Sequence, residues 1–287
     1  MTHRLLLLLL ASALVTPALA KPGKADAQTA AKVDAPATAA ALPDGRELLF
    51  KEVNAAGSAT LDTLKGLHME GTFSMPAQGL NAKMSIWRAA PNLMRTRIEI
   101  DGIGVIEEGF DGTRAWANDP IQGPRIRSGA EGEEAAFTAV FAGDAHPERY
   151  TDVQTLESAE FAGRPAFKIK VKPPGDIPVR FLWIDAETFR TLGAETTAPS
   201  PMGEIPVTMT MGDVRDVGNG LLMPFTMSQS MMNTEQTIQL TAVTLDPELP
   251  DFAAPAAVQE LIKADEAAAK AAAEAVGGAK TEGAAAP

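Results

Sequence analysis

From Leu67 to Leu245 apolar and polar side chains alternate with a period of two, interrupted at short intervals by turn residues. Alternate residues of a strand share a face, so this pattern predicts half-buried strands. The first is Leu67–Met75 (LHMEGTFSM), followed by Ala82–Ala89, Leu93–Ile100 and Gly104–Phe110. Pro91-Asn92, Asp101-Gly102 and Asp111-Gly112 are turn signals, so this run reads as a hairpin meander, with Arg114–Asn118 as a short further strand. Strands resume at Val153–Phe161 and Ala166–Lys172, around the turn Gly163-Arg164-Pro165. Val179–Ile184, Arg190–Thr197, Val207–Val214, Leu222–Met231 and Gln236–Leu245 complete the set. Roughly a dozen strands with short connections predict a mainly β, α+β chain built on one large antiparallel sheet, curved to bury a face.

Three stretches depart from this period. Asp44 can cap a helix over Asp44–Asn54 that places Leu48, Leu49 and Val53 on one side. Gly129–Ala142 (GAEGEEAAFTAVFA) is helical in character. Near the C-terminus, alanine with interspersed Glu and Lys predicts a helix from Pro255 to Val276, which Gly277-Gly278 should stop. Residues 43–255 are therefore the expected β domain, and 256–287 an Ala-rich helix and loose tail.

The strand faces separate cleanly. Val207, Met209 and Met211 oppose Thr208 and Thr210; Phe225, Met227, Gln229 and Met231 oppose Thr226, Ser228 and Ser230. Phe167, Ile169 and Val171 oppose Lys168, Lys170 and Lys172, while Met84 with Ile86, and Met94 with Ile98 and Ile100, behave alike. One side of the sheet is thus apolar and rich in methionine, an unbranched side chain that repacks around varied shapes. Two readings follow. Met84, Ile86, Met94, Ile98, Met209, Met211, Phe225, Met227 and Met231 line a groove for an acyl chain, or the same residues fill the space between sheet and helices.

The ends change the picture. Met1–Ala20 has Arg4, an apolar run from Leu5 and an Ala18-Leu19-Ala20 cleavage motif, the pattern of a secretory signal peptide. Residues 21–42 are Ala, Pro, Lys and Thr and read as a disordered spacer. With no cysteine the chain has no lipobox, disulfide or zinc-thiolate site, so a soluble periplasmic or secreted product is expected. A formal charge of −12 argues against nucleic acid and anionic membrane surfaces as partners.

Catalytic signals are thin. His68 and His146 stand outside any metal-ligand spacing, and G-x-S-x-G and phosphate-binding glycine motifs are absent from the sequence. Glu107, Glu108, Glu131, Glu133, Glu134, Asp213 and Asp216 offer carboxylates for a glycosidase-like pair, but nothing in the spacing selects two of them. A chain without catalytic residues, cofactor or metal is expected.

Several short motifs, in order, resemble the LolA/LolB-like superfamily and its outer membrane lipoprotein-sorting relatives. They are Gly71-Thr72-Phe73; Glu108-Gly109-Phe110-Asp111-Gly112-Thr113-Arg114-Ala115-Trp116; and Gly123-Pro124. Leu156-Glu157 followed by Gly163–Ile169, the turn Trp183-Ile184-Asp185-Ala186-Glu187-Thr188, Gly220-Leu221-Leu222-Met223-Pro224 and Pro250–Pro255 continue the series. The resemblance implies an incomplete antiparallel β-barrel whose apolar concavity holds lipoprotein acyl chains under a helical lid, here Asp44–Asn54 and Gly129–Ala142. It implies a lipid or lipoprotein acyl chain as ligand, with an envelope protein acceptor as a further partner; a monomer is expected. An arginine tying lid to barrel has no clear motif match; Arg88 and Arg95 lie nearby. Three readings remain at this point: a carrier or binding protein for an amphiphile, an envelope scaffold with a filled core, and a carboxylate-based hydrolase.

Overall fold

The computed structural model describes residues 41–200, 203–231 and 234–282. The predicted export signal and nearly all of the spacer lie outside them. Helix α1 (Gly45–Ala56) comes first and starts where expected. Its cap is Asp44, whose carboxylate accepts from the backbone N–H of Arg46 and Glu47. A 3₁₀ turn (Ser58–Thr63) leads into β1 (Gly66–Met75). The meander continues through β2 (Leu80–Ala89), β3 (Leu93–Ile100), β4 (Gly104–Asp111), β5 (Ala115–Asp119) and β6 (Gly123–Arg127). Helix α2 (Gly129–Ala139) separates this half from β7 (Asp152–Phe161), β8 (Arg164–Lys172), β9 (Arg180–Asp185) and β10 (Thr191–Ser200). Then come β11 (Gly203–Asp216), β12 (Leu222–Met231), β13 (Thr234–Leu245) and α3 (Ala256–Glu282).

The sheet has 13 strands in the order β6-β5-β4-β3-β2-β1-β13-β12-β11-β10-β9-β8-β7. Every pairing is antiparallel, and among the described residues none joins β6 to β7. The barrel is therefore incomplete, a mixed α+β fold as the alternation and the resemblance implied. The first half winds outward from β1 and the second winds back to β13, so β1 and β13 meet at the centre. Their register shifts between Glu70 and Gly71. A Cβ on Gly71 would come within 2.4 Å of the Gln239 carbonyl oxygen, so only glycine lets the two strands close at this bulge.

Both open edges are covered in part. Gly45 of α1 lies against β7, where a Cβ would stand 3.0 Å from Gln154 C and Thr155 N, and the Thr155 hydroxyl donates to Pro43 O at 2.7 Å. On the far edge Pro124 removes one donor from β6, and α3 packs over the outer face there. Strand β6 was not expected from the alternation. It is short, contains Pro124 and keeps most of its side chains partly exposed, so its hydrophobic signal is weak. Several strands end a few residues from their expected limits, most of all β11, which spans Gly203–Asp216 against the expected Val207–Val214, and the helices differ at their ends. Helix α2 stops at Ala139, three residues before the expected end, and the Phe141 N–H turns away to Pro91 O. Helix α3 runs through Gly277-Gly278 to Glu282, since glycine costs a helix only about 1 kcal/mol against alanine.

Candidate functional site

Cross-strand registers arrange the concave face in rows. Ile238, Phe73, Ala82 and Ile100 form one; Leu240, Gly71, Met84, Ile98 and Ile106 form the next. On the other half, Ile238, Met227 and Met211 are in register, and so are Gln229, Met209, Ala194, Leu182 and Ile169. All nine residues read from the sequence as groove-lining fall in one apolar cluster. Met84, Ile86, Met94, Ile98, Met209, Phe225 and Met227 are buried members, and Met211 and Met231 are partly buried against it.

Helices and turns roof this face. Leu48 and Leu49 of α1, Leu61 of the 3₁₀ turn, Ala135 and Ala139 of α2, and Phe141 and Tyr150 beyond it belong to the same cluster. Ile86 and Met209 expose 0% of their surface. Both are completely enclosed by their neighbours. Burying each such side chain is worth roughly 1.5–3 kcal/mol.

The roof is held by different forces from the face it covers. Helix α2 is tied by four arginines. Arg88 on β2, fully buried, donates to Thr138 O at 2.9 Å and Val140 O at 3.0 Å, the carbonyls at the helix end. Arg127 on β6 meets Glu131 at 2.6 Å, and Arg180 on β9 meets Glu134 at 2.7 Å. Arg149 stacks on the Phe137 ring, 3.6 Å from its centroid, and donates to Phe137 O. Burial lowers the Arg88 guanidinium to about 9 and Arg149 to about 10. Arg46 of α1 donates to Pro147 O and Tyr150 O, both at 3.1 Å, and so links α1 to the segment after α2. The His146 ring bridges Asp62 at 3.0 Å and Glu148 at 2.9 Å in the same region, which raises its pKa.

One buried ion pair lies under α2. Glu108 on β4 meets Arg127 at 3.1 Å, with both side chains almost fully enclosed. Burial lifts the Glu108 carboxyl to about 7, against the pull of Arg127. The other candidate carboxylates have local partners. Glu107 accepts from Arg95 and Arg97, and Asp213 from Arg215. Asp216 accepts the Gly218 N–H, whereas Glu133 is exposed. His68, on the convex side, stacks on Trp87 with centroids 4.5 Å apart, and its burial lowers its pKa. Among the described residues no group of three or more His, Asp or Glu could hold a metal ion. No helix among them is long and apolar enough to cross a membrane.

Of the arginine ties, the sequence pointed only to Arg88, as lying near an expected lid tie; Arg127, Arg149 and Arg180 were missed. Arg88 shares the even-numbered phase of Met84 and Ile86 and so projects from the apolar face. Arg95, the other nearby candidate, sits in the opposite phase to Met94 and bonds Glu107 and Asp251 O instead.

No known family profile matches the chain, and no curated protein matches it. Solved structures do resemble it at a distance. A domain assigned to outer membrane lipoprotein sorting from Vibrio parahaemolyticus is 13% identical, with a TM-score of 0.49 over 72% of this chain and 94% of that one. A DUF1329 family protein from Desulfovibrio piger is 13% identical, with a TM-score of 0.49 over 73% and 96%. A LolA superfamily protein from Nitrosomonas europaea is 14% identical, with a TM-score of 0.48 over 74% and 99%.

Proposed function

We propose that this chain is an exported, non-catalytic binding protein of the cell envelope, which takes the hydrocarbon part of a lipid, lipoprotein or other amphiphile between its sheet and its helices. The observation that carries the reading is the contrast between face and roof. The face is a continuous, methionine-rich apolar surface on a sheet whose edges do not meet. The roof is two short helices joined to the sheet side by a small set of polar contacts: Arg88, Arg127 and Arg180 hold α2, and Thr191 donates to Glu52 of α1 at 2.9 Å. A hydrocarbon-binding surface needs such a cover in water when unliganded. The described conformation is then the closed one, and uptake requires α1, α2 or both to lift. Methionine suits the task because its side chain repacks around an inserted chain at little cost. The export motif at Met1–Ala20 supports the location, and an envelope acceptor would receive the cargo.

A second reading has its own support. The complete enclosure of Ile86 and Met209 suits a scaffold whose core is permanently filled. Met209→Asp and Met227→Asp, assayed for urea stability and for uptake of a fluorescent acyl probe, separate the two. For a binding protein, wild type takes up the probe and both variants lose that uptake, alongside the stability cost of a charge at a position enclosed in the closed state. For a filled core, wild type takes up nothing, and each variant loses several kcal/mol as an unpaired charge is buried.

A further inference from the structure

Gln229 is an anomaly on the apolar face. It is 1% exposed, and neither its amide oxygen nor its amide nitrogen has a hydrogen-bond partner. Its neighbours across β12 are Met209 on β11 and Gln236 on β13, and Gln236 is itself 2% exposed. Buried polar groups are almost always paired, because leaving one unmet costs more than a formed bond returns. Leucine has nearly the same volume and would carry no such cost. The amide is also not needed to set the register of this hairpin. On the other side of the same two strands Thr226 donates to the Gln239 side chain at 2.9 Å, and the Ser228 and Thr237 hydroxyls stand 3.5 Å apart.

The row through Gln229 restricts what can meet the amide. Gln236, Gln229, Met209, Ala194, Leu182 and Ile169 follow one another across six strands, with no ionisable side chain in the row. A carboxylate or phosphate placed here would be an uncompensated charge in an apolar setting. A primary amide presents one acceptor and two donors, so its best complement is a neutral group that both donates and accepts.

We infer that Gln229, with Gln236 beside it, is the polar subsite of the acyl-binding face, and that it selects a neutral acyl group: an acyl amide, or an acyl ester flanked by a hydroxyl. This rests on the binding function proposed above and names the ligand class for it. Free fatty acids are poor ligands on this account, because their charged end finds no partner in the row. Ligand binding supplies the hydrogen bonds that the amide lacks in the closed protein.

The test is displacement of the apolar fluorophore N-phenyl-1-naphthylamine from the purified protein by N-methyldecanamide, 1-monodecanoylglycerol and decanoate. Wild type should prefer the two neutral amphiphiles over decanoate by about tenfold or more. Gln229→Leu should lose about tenfold of affinity for the neutral pair while fluorophore binding is unchanged or stronger, and it should melt no lower than wild type. Gln236→Leu provides a second, independent variant should the first fold poorly. Equal affinities in wild type and variants, with fluorophore binding intact, would overturn the subsite and leave the binding function standing. A clear fall in melting temperature on Gln229→Leu also overturns it, since the amide would then be satisfied in the free protein. Wild type that binds neither fluorophore nor amphiphile removes the binding function itself.

Discussion

Replacing Arg88 with methionine tests how the roof is held. The side chain is fully buried and donates to Thr138 O at 2.9 Å and Val140 O at 3.0 Å, at the end of α2. Hydrogen bonds from a charged donor are worth about 1.5–3 kcal/mol each, so these two hold the end of α2 by a few kcal/mol. The charge is expensive where it sits. Its pKa falls to about 9, mainly through burial and then through Arg149. Methionine fills much of the same space without that cost, and exchanging a buried charge for an apolar side chain of similar volume is often neutral or stabilising. Local and global stability should therefore part company. In Arg88→Met the amides of α2 should exchange about 10- to 100-fold faster with solvent, while β1–β3 amides and the urea midpoint hold or rise. Hydrogen exchange resolved by mass spectrometry reads both. Unchanged protection of α2 would refute its attachment through Arg88. A global loss of about 3 kcal/mol would show that the arginine stabilises the whole fold rather than its cover.

Other consequences concern the core, the buried carboxyl and the C-terminal helix. Met209→Ala removes a fully enclosed side chain and should cost about 2–5 kcal/mol, part of which a saturating neutral amphiphile restores by occupying the space. No rise in melting temperature with ligand would favour the filled core. Glu108 keeps its proton in the folded state up to about 7, whereas the unfolded chain releases it near 4.5. Stability should therefore fall as pH rises between those values and level off above them, and Glu108→Gln should flatten that slope in urea titrations at several pH values. His146, raised by Asp62 and Glu148, contributes in the same direction, so the difference between wild type and variant is the quantity to compare. Val258 of α3 and Trp116 on the convex face are both 0% exposed and pack together. Val258→Asp should release α3, cost about 2–3 kcal/mol and shift part of the tryptophan emission to the red, with the sheet's circular dichroism unchanged; unshifted emission would contradict that docking.

Much of the sheet could be read directly from period-two alternation, because one face is buried and the other wet along most strands. Leu93–Ile100 and Leu222–Met231 match their expected limits. The strand that was missed, Gly123–Arg127, lies at an edge and carries little apolar surface to reveal it. The same alternation placed the nine residues read as groove-lining in one apolar cluster, and their cross-strand partners follow from the meander. What it did not reveal is how the helices attach. Arg149 and Arg180 act through contacts 12 and 46 positions away along the chain, which no local pattern encodes, and Arg127 reaches Glu131 only across the junction of strand and helix. Arg88 and Gln229 are different, since their phase put them among methionines from the start. A polar residue in apolar phase was the signal, and it becomes informative only when burial and hydrogen-bond partners are known.

The account stands or falls on whether the methionine-rich face takes up a hydrocarbon chain. Native mass spectrometry of the protein purified without detergent from the exported fraction of its expressing cells addresses this directly. A bound neutral amphiphile of one or two acyl chains, released on unfolding and replaced by added monoacylglycerol at a stoichiometry of one, is the predicted result. Protein of bare mass that also fails to take up monoacylglycerol, with Arg88→Met equally empty, would contradict it.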